Sequence, residues 1–379
     1  MTTKVLEFVY YLFDGGAETL VKQYCIMLDK KEFMPVVLTL YPKYDSAVYK
    51  ALRETGIKVY YVYPKRNKFY RTLNRIFGRF YFPLKLKRVL ENESIDAIHC
   101  HTAVLRYIKY AQRYLNDIKL LYTCHSTPDR YFSGHVKKEY EAANYLLHHN
   151  DMQMIALHDD MRNELNKLFS INSTVVIRNG IDLNRYRDDG KTKEKVRKEL
   201  GIPESAFVVG HVGRFFEPKN HEFLVKVFVE IKKMRADAFL LMIGDGILRN
   251  DIERKLHENR LDDSYMILSN RNDVPELLTA MDTFIFPSKV EGFGIALIEA
   301  QAAGLKCVTS TAVPDAACLT SLVEKKSLED SPRKWCEAAL KQRPTNWNKD
   351  ALNQYDMRRE IRKLEDLYRK SGVCNQDGI

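Results

Sequence analysis

Two carboxylates with seven residues between them, Glu291 and Glu299, bracket the run Gly292-Phe293-Gly294-Ile-Ala-Leu-Ile. Thr283-Phe-Ile-Phe, just upstream, reads as a short buried strand, and the glycines read as a turn. The residues from Ile295 to Ala303 read as a helix that is apolar nearly all round, so the helix should be buried and Glu299 with it. A carboxylate in such a place pairs with a core Arg or serves a ligand, because it is not left buried alone. The backbone N–H groups of a helix opening at Gly292 to Gly294 have no partner within the helix and suit an anion such as a phosphate.

Four further constellations could act with this one. Gly213-Arg214-Phe-Phe-Glu-Pro-Lys219 puts two cations five residues apart in a loop. Taken alone they are solvated surface charges; next to a leaving diphosphate they would stabilise the negative charge that develops, as a divalent metal would. Phe13-Asp-Gly15-Gly16-Ala-Glu18 follows the first strand-like run. It is a capped turn, or a place where a ligand can approach backbone that carries no side chain. His99, His101 and His125 sit at the ends of strand-like runs. They are structural hydrogen-bonding residues or ligands of a metal, for which spacing supplies no third partner. Gly244-Asp-Gly246 and Asn270-Arg-Asn-Asp-Val274 read as loops at strand ends. There is no Gly-x-Gly-x-x-Gly, no Walker lysine motif and no Asp-x-Asp, which weakens the NAD, P-loop and metal-dependent readings.

The elements that must position these residues alternate in type. Strand-like runs at Lys4 to Leu12, Pro35 to Leu40, Lys58 to Tyr63, Asp96 to His101, Lys119 to His125 and Gln153 to His158 are separated by helical stretches. Their Val, Ile, Leu and Tyr content is continuous rather than alternating, as in parallel sheets covered on both faces. A polar segment, Asn184 to Thr192, interrupts the series. It restarts with Ala206 to Gly213, Phe239 to Gly244, Tyr265 to Leu268, Thr283 to Phe286 and Lys306 to Thr309. This predicts an α/β protein of two doubly wound units, residues 1–182 and 183–348, with a last helix over about 349–371 carrying Leu352, Tyr355, Met357, Ile361, Leu364 and Leu367.

Composition agrees with a globular chain of this size: 379 residues, 45% hydrophobic and 29% charged, with no apolar run long enough to span a bilayer. The chain enters a strand-like run soon after Met1, without a leader-like stretch, so the expectation is a cytoplasmic protein. Seven scattered cysteines, Cys374 among them, form no Cys-x-x-Cys pair and predict reduced thiols. The net charge of +10 favours anionic partners.

Taken together, these motifs resemble the retaining glycosyltransferases of the family-4 type over most of the chain, from Val5 to about Leu340. The resemblance implies two Rossmann-like domains facing each other across a cleft, the GT-B fold, with the last helix crossing back to the first domain. It implies transfer of a hexose from a nucleoside diphosphate sugar, a UDP-sugar, to a glycan or lipid-linked acceptor, with retention of configuration. The leaving phosphate takes the acceptor's proton, so no separate base and no metal or other cofactor is expected. By the same resemblance Glu299 holds the ribose hydroxyls and Glu291 the sugar ring. Phe293 and Gly294 offer N–H groups, and Arg214 and Lys219 hold the diphosphate. Gly15, Gly16, Gly213, Gly244, Asn270, Val274 and Gly292 line the donor, and His125 orients the reacting centre. Where the family often has proline this chain has Gly294, and its Thr309-Ser-Thr-Ala-Val-Pro replaces a glycine-rich segment. That variant resembles the branch that assembles bacterial capsular and exopolysaccharides. The rival readings are a UDP-sugar epimerase of the same architecture and a non-catalytic nucleotide-sugar-binding protein.

One stretch has a charge pattern of its own. Residues 65–88 hold nine basic residues, no acidic one and many aromatics. They predict a surface helix with Leu73, Ile76, Phe77 and Phe80 as its core face, or a docking element for an anionic membrane surface, which would place the protein peripherally at the inner face of the cell membrane. No reading-helix pattern accompanies the charge, so nucleic acid is not an expected partner.

Overall fold

The computed structural model describes residues 2–132, 137–186, 192–271 and 273–369. Part of the polar segment Asn184 to Thr192, the end of the 349–371 helix and Cys374 therefore lie outside the described residues. The chain forms two compact units: Met1–Asn179 with Arg358–Ile379, and Gly180–Met357.

The first unit runs β1 (Thr3–Leu12), α1 (Gly16–Met27), β2 (Phe33–Pro42), α2 (Ala47–Glu54), β3 (Lys58–Tyr61), α3 (Lys68–Glu93), β4 (Ala97–His101) and α4 (Leu105–Tyr110). It continues with β5 (Lys119–Thr123), α5 (Pro128–Phe132), α6 (Lys137–His149), β6 (Gln153–Ala156), α7 (Asp159–Phe169) and β7 (Val175–Val176). The second runs α8 (Thr192–Leu200), β8 (Phe207–Val212), α9 (His221–Met234), β9 (Ala238–Ile243), α10 (Arg249–Glu258), β10 (Tyr265–Leu268) and α11 (Val274–Thr279). It ends with β11 (Thr283–Phe286), α12 (Ile295–Ala302), β12 (Lys306–Ser310), β13 (Val323–Lys326) and α13 (Pro332–Leu340). The final helix, α14 (Met357–Tyr368), belongs to the first unit from Arg358 onward.

Among the described residues the sheets are wholly parallel, in the orders β3-β2-β1-β4-β5-β6-β7 and β10-β9-β8-β11-β12-β13. Each sheet is covered on both faces, and side-chain alternation decides which residue serves which layer. In the second sheet Val208, Leu241, Ile243, Phe284 and Phe286 join the layer of α11 and α12. Their neighbours Val209, Leu240, Met242 and Ile285 join that of α9, α10 and α13. Each such large side chain contributes about 1.5–3 kcal/mol by leaving water, so two buried layers suffice to fix each sheet.

The structure corrects three expectations. The chain passes between the units at 179–180, close to the expected 182, and at 357–358, later than the expected 348. The expected helix over 349–371 is two pieces: a 3-10 segment, Lys349–Tyr355, in the second unit, and α14. Leu352 and Tyr355 pack in the second core, whereas Ile361 and Leu364 are buried in the first unit. A stripe drawn through all of them mixes two cores. Finally, α3 buries Asn74, Gly78, Phe82, Leu86, Val89 and Leu90, while Ile76, Phe77 and Phe80 are exposed. The buried stripe is set by Phe82 to Leu90 in its C-terminal half and extends back at four-residue steps through Gly78 and Asn74, a helix turn each. The Asn74 amide donates to the Tyr107 hydroxyl at 2.7 Å, which anchors that face.

Candidate functional site

In the second unit the strand order reverses between β8 and β11, and in sheets of this kind ligands bind outside the carboxyl ends of strands at such a reversal. The loops after these two strands are tied together. The Lys289 N–H donates to the Pro218 carbonyl at 2.7 Å, Lys289 pairs with Glu217, and Lys219 pairs with Glu291. The Lys219 ammonium also lies 4.9 Å from the centroid of the Phe286 ring. Arg214 is exposed, its guanidinium 5.1 Å from the Phe216 ring centroid.

The loop after β9 lies across the loop after β8, with Gly213 N–H donating to the Ile243 carbonyl and Phe215 N–H to the Asp245 carbonyl, both at 2.9 Å. Gly244 has φ +151°, and a Cβ there would stand 2.0 Å from the Gly213 carbonyl oxygen, so only glycine fits this crossing. The Ser269 hydroxyl donates to the Gly244 carbonyl at 3.1 Å and brings in the next loop, where Asn270 has φ 55° and Val274 opens α11. Four adjoining loops thus collect Gly213, Arg214, Lys219, Gly244, Asn270 and Glu291 at the carboxyl edge of the sheet. The turn Gly292-Phe293-Gly294 leads from the same edge into α12, capped by Gly294 in the left-handed conformation at φ 89°.

Glu299 is placed otherwise than the sequence implies. It is half-buried rather than buried, and its Oε1 accepts a hydrogen bond from the buried Tyr186 hydroxyl at 3.0 Å. The apolar helix turns this one position toward the residues 183–186, which no pattern within the helix reveals.

In the first unit the order reverses between β1 and β4. Gly15 caps α1 and is buried; a Cβ on it would meet the Glu18 carboxylate at 2.3 Å. Gly16 is exposed with open space around it. The three histidines share one sheet face, because His99 and His101 alternate along β4 and His125 stands two residues beyond Thr123, where β5 ends. Glu7 stands opposite His99 in register and reaches His101, Oε2 to Nε2, at 2.7 Å. Tyr368, from α14, donates to Glu7 at 2.8 Å and lies 2.6 Å from His99 Nδ1. His101 Nδ1 is 2.9 Å from His125 Nε2. Burial pushes Glu7 up to about 8 and His101 down to about 3, and lowers His99 and His125 well below the ordinary imidazole value.

Glu7 is thus a third group of ligand type beside the histidines, which spacing did not supply, and atoms of Glu7, His99 and His101 lie within 4.8 Å of one another. Yet ligands 2.0–2.1 Å from a tetrahedral ion stand about 3.3 Å apart, and Glu7 and His101 are at hydrogen-bond distance instead. Glu7, Tyr186 and Tyr368 are the residues that sequence reasoning missed. Glu7 had a signal: it is a carboxylate inside Val5-Leu-Glu7-Phe-Val, a run expected to be buried on both faces. Tyr186 and Tyr368 had none.

Comparison with known proteins gives these sites a family. Residues 14–185 match the model of Glycosyltransferase Family 4, and residues 192–328 that of Glycosyl transferases group 1. The putative glycosyltransferase EpsF of Bacillus subtilis is 32% identical over 50% of this chain, and the match spans 52% of its own length. UDP-Gal:alpha-D-GlcNAc-diphosphoundecaprenol alpha-1,3-galactosyltransferase of Escherichia coli is 25% identical over 75% of this chain and 78% of its own. The crystal structure of Anabaena HepE in complex with UDP and glucose shares the fold, with a TM-score of 0.74 over 96% of this chain and 98% of that one at 18% identity. With both halves matched in tandem and the fold shared end to end, the chain belongs to the family-4 type glycosyltransferases of GT-B fold.

Proposed function

We propose that the protein transfers a hexose from a UDP-sugar to a glycan or lipid-linked acceptor, with retention of configuration, in the synthesis of a surface polysaccharide. The observation that carries this reading is the clustering of Arg214, Lys219 and Glu291 on tied loops where the second sheet reverses its order. Two cations there can receive the charge of a departing diphosphate without a metal, and the turn at Gly292 to Gly294 offers backbone N–H groups beside them. Glu299 takes the ribose hydroxyls through the carboxylate that Tyr186 holds. Phe293, Asn270, Val274, Gly213 and Gly244 line the nucleotide and diphosphate. The first unit serves the acceptor, with His125 orienting the reacting centre, and Gly16, exposed before α1, is backbone that a diphosphate can approach.

Support comes from relatives whose names state polysaccharide or undecaprenol-linked substrates and from a structural neighbour solved with UDP. The test is incubation with a panel of UDP-sugars and a lipid-linked acceptor, following released UDP and the anomeric configuration of the product. Release that EDTA leaves unchanged is expected. Conversion to an isomeric UDP-sugar without transfer, or binding without turnover, would replace this reading.

We further propose that α3 docks on an anionic membrane surface, where a lipid-linked acceptor is met. No described helix is long and apolar enough to cross a membrane. The exposed Phe69, Ile76, Phe77, Phe80 and Leu84 among the basic residues of α3 support this peripheral attachment.

A further inference from the structure

Glu7 is wholly buried in the middle of β1, and its carboxylate is held by groups that give or take protons. The chain of contacts leads outward: Glu7 Oε2 to His101 Nε2 at 2.7 Å, then His101 Nδ1 to His125 Nε2 at 2.9 Å. His125 is half-buried at the end of β5, and no described residue bonds its Nδ1. We propose that Glu7, acting through His101, sets the tautomer of His125, so that His125 presents an outward acceptor when Glu7 is ionised and an outward donor when Glu7 is protonated.

Ionised Glu7 only accepts, which leaves one assignment for neutral rings; protonated Glu7 can donate from Oε2 to His101 or from Oε1 to the Tyr368 hydroxyl, and the imidazole nitrogen is the stronger acceptor. With Glu7 ionised, His101 donates from Nε2, so its Nδ1 accepts the Nε2–H of His125, and His125 Nδ1 keeps its lone pair. When Glu7 is protonated, it donates to His101 Nε2, His101 donates from Nδ1 to His125 Nε2, and His125 carries its proton on Nδ1. One proton passes between the two states. A water O–H breaks as His125 Nδ1–H forms, the Nε2–H of His125 passes to His101 Nδ1, and the Nε2–H of His101 passes to Glu7. The hydroxide left behind is neutralised by solvent.

No imidazolium accumulates, because burial disfavours charge on either ring, whereas the raised Glu7 titrates near neutrality. The other titratable groups facing Glu7 are Tyr24 and Cys25 from α1, His99 and Cys100 from β4, and Tyr368 from α14, with Glu360 beyond Tyr24. Burial raises Tyr24, Cys25, Cys100 and Tyr368 out of the neutral range, and Glu360 is paired with Lys363 at 2.6 Å. Glu7 and His101 are positioning residues here, and only the use of the switched hydrogen bond, on a sugar hydroxyl, rests on the proposed transfer.

The experiment is nitrogen-15 NMR of the full chain with labelled histidine, His125 assigned by a His125→Gln variant, between about pH 6 and about pH 9. His125 Nδ1 is expected to carry a proton at the lower pH and a lone pair at the higher, with the ring neutral throughout. In Glu7→Gln the amide holds one arrangement, so the tautomer should not change with pH. In Tyr368→Phe, which removes a hydrogen bond to the ionised carboxylate, the midpoint should move to higher pH. A pH-independent tautomer in the wild type, the same switch in Glu7→Gln, or an unmoved midpoint in Tyr368→Phe would overturn the proposal. If Glu7→Gln does not fold, Tyr368→Phe decides. The readout needs no donor or acceptor, so failure to detect transfer would leave this result standing.

Discussion

Glu291 and Glu299 are held by different chemistry, and that difference predicts different losses. Glu299 accepts a hydrogen bond from a neutral donor, the Tyr186 hydroxyl, and a carboxylate offers about four acceptor sites in all, which suits a ligand's hydroxyls. A hydrogen bond to a charged group contributes roughly 1.5–3 kcal/mol, so Glu299→Ala should weaken UDP binding about 10- to 150-fold by calorimetry. Tyr186→Phe, which only loosens the carboxylate, should cost less. Unchanged affinity in a folded Glu299→Ala protein removes that residue from the site. Lys219 is paired with Glu291, so a diphosphate must compete for it; Arg214 is exposed. Each of Arg214→Ala and Lys219→Ala should slow transfer about 10²- to 10³-fold, by comparison with loss of one preorganised donor to developing charge. Steady-state rates at saturating donor check this, and wild-type turnover by either variant excludes it from the site.

At the scale of elements, the loop crossing and α3 make opposite demands. Gly244 sits where backbone meets backbone, so Gly244→Ala should lower stability by about 2 kcal/mol or more, through strain and the displaced Gly213 carbonyl. Gly16→Ala, with nothing near its Cβ, should leave the urea midpoint unchanged or raise it, since alanine favours a helical position. Equal losses in the two variants would mean that the crossing is not the constraint. Helix α3 is stable for reasons on its buried side: the Asn67 cap, the Phe82-to-Leu90 stripe and a left-handed Ser94 that ends it. Its outer side is free to serve a surface. Each Lys or Arg near an anionic leaflet contributes about 1 kcal/mol, so replacing Arg71, Arg75 and Arg79 together with Glu should abolish co-sedimentation with anionic vesicles and leave UDP affinity intact. Binding should weaken with salt and be absent with neutral lipid. Equal recovery with both lipids would return α3 to a plain surface helix.

For the whole molecule, buried titratable groups bound the pH range of stability. Buried histidines of both units, His101 at about 3, His211 at about 4 and His221 at about 2 among them, sit below their ordinary value because burial opposes their charge. The unfolded chain therefore takes up protons first, and stability should be lost as pH falls below 6.5. Glu7 acts in the other direction. Its folded value is raised from 4.5 to about 8, so its contribution is complete below 4.5 and is lost as pH rises through 8. Denaturation midpoints followed across pH should trace a dome, and Glu7→Gln should make its alkaline side shallower. A variant that still declines on that side as the wild type does would show that another group controls it.

How much was legible follows from the range over which each constraint acts. Parallel strands buried on both faces announce themselves locally, so two doubly wound units, the strands near each site and the turn before α12 could be read from Val5, Thr283 or Gly292 onward. Glycine spacing likewise placed Gly213 and Gly244 at strand ends, although their mutual contact was invisible. What sequence could not decide was which face of α3 turns inward, because apolar residues occupy both sides and Tyr63 and Tyr107, from outside the helix, select Asn74. It could not decide the partners of Glu299, Glu7 or His99 either. Tyr186 stands 113 residues from Glu299, and Tyr368 stands 361 from Glu7 and 269 from His99. Local pattern shows that a buried carboxylate needs a partner; chain crossings between sheets and helices choose which residue answers.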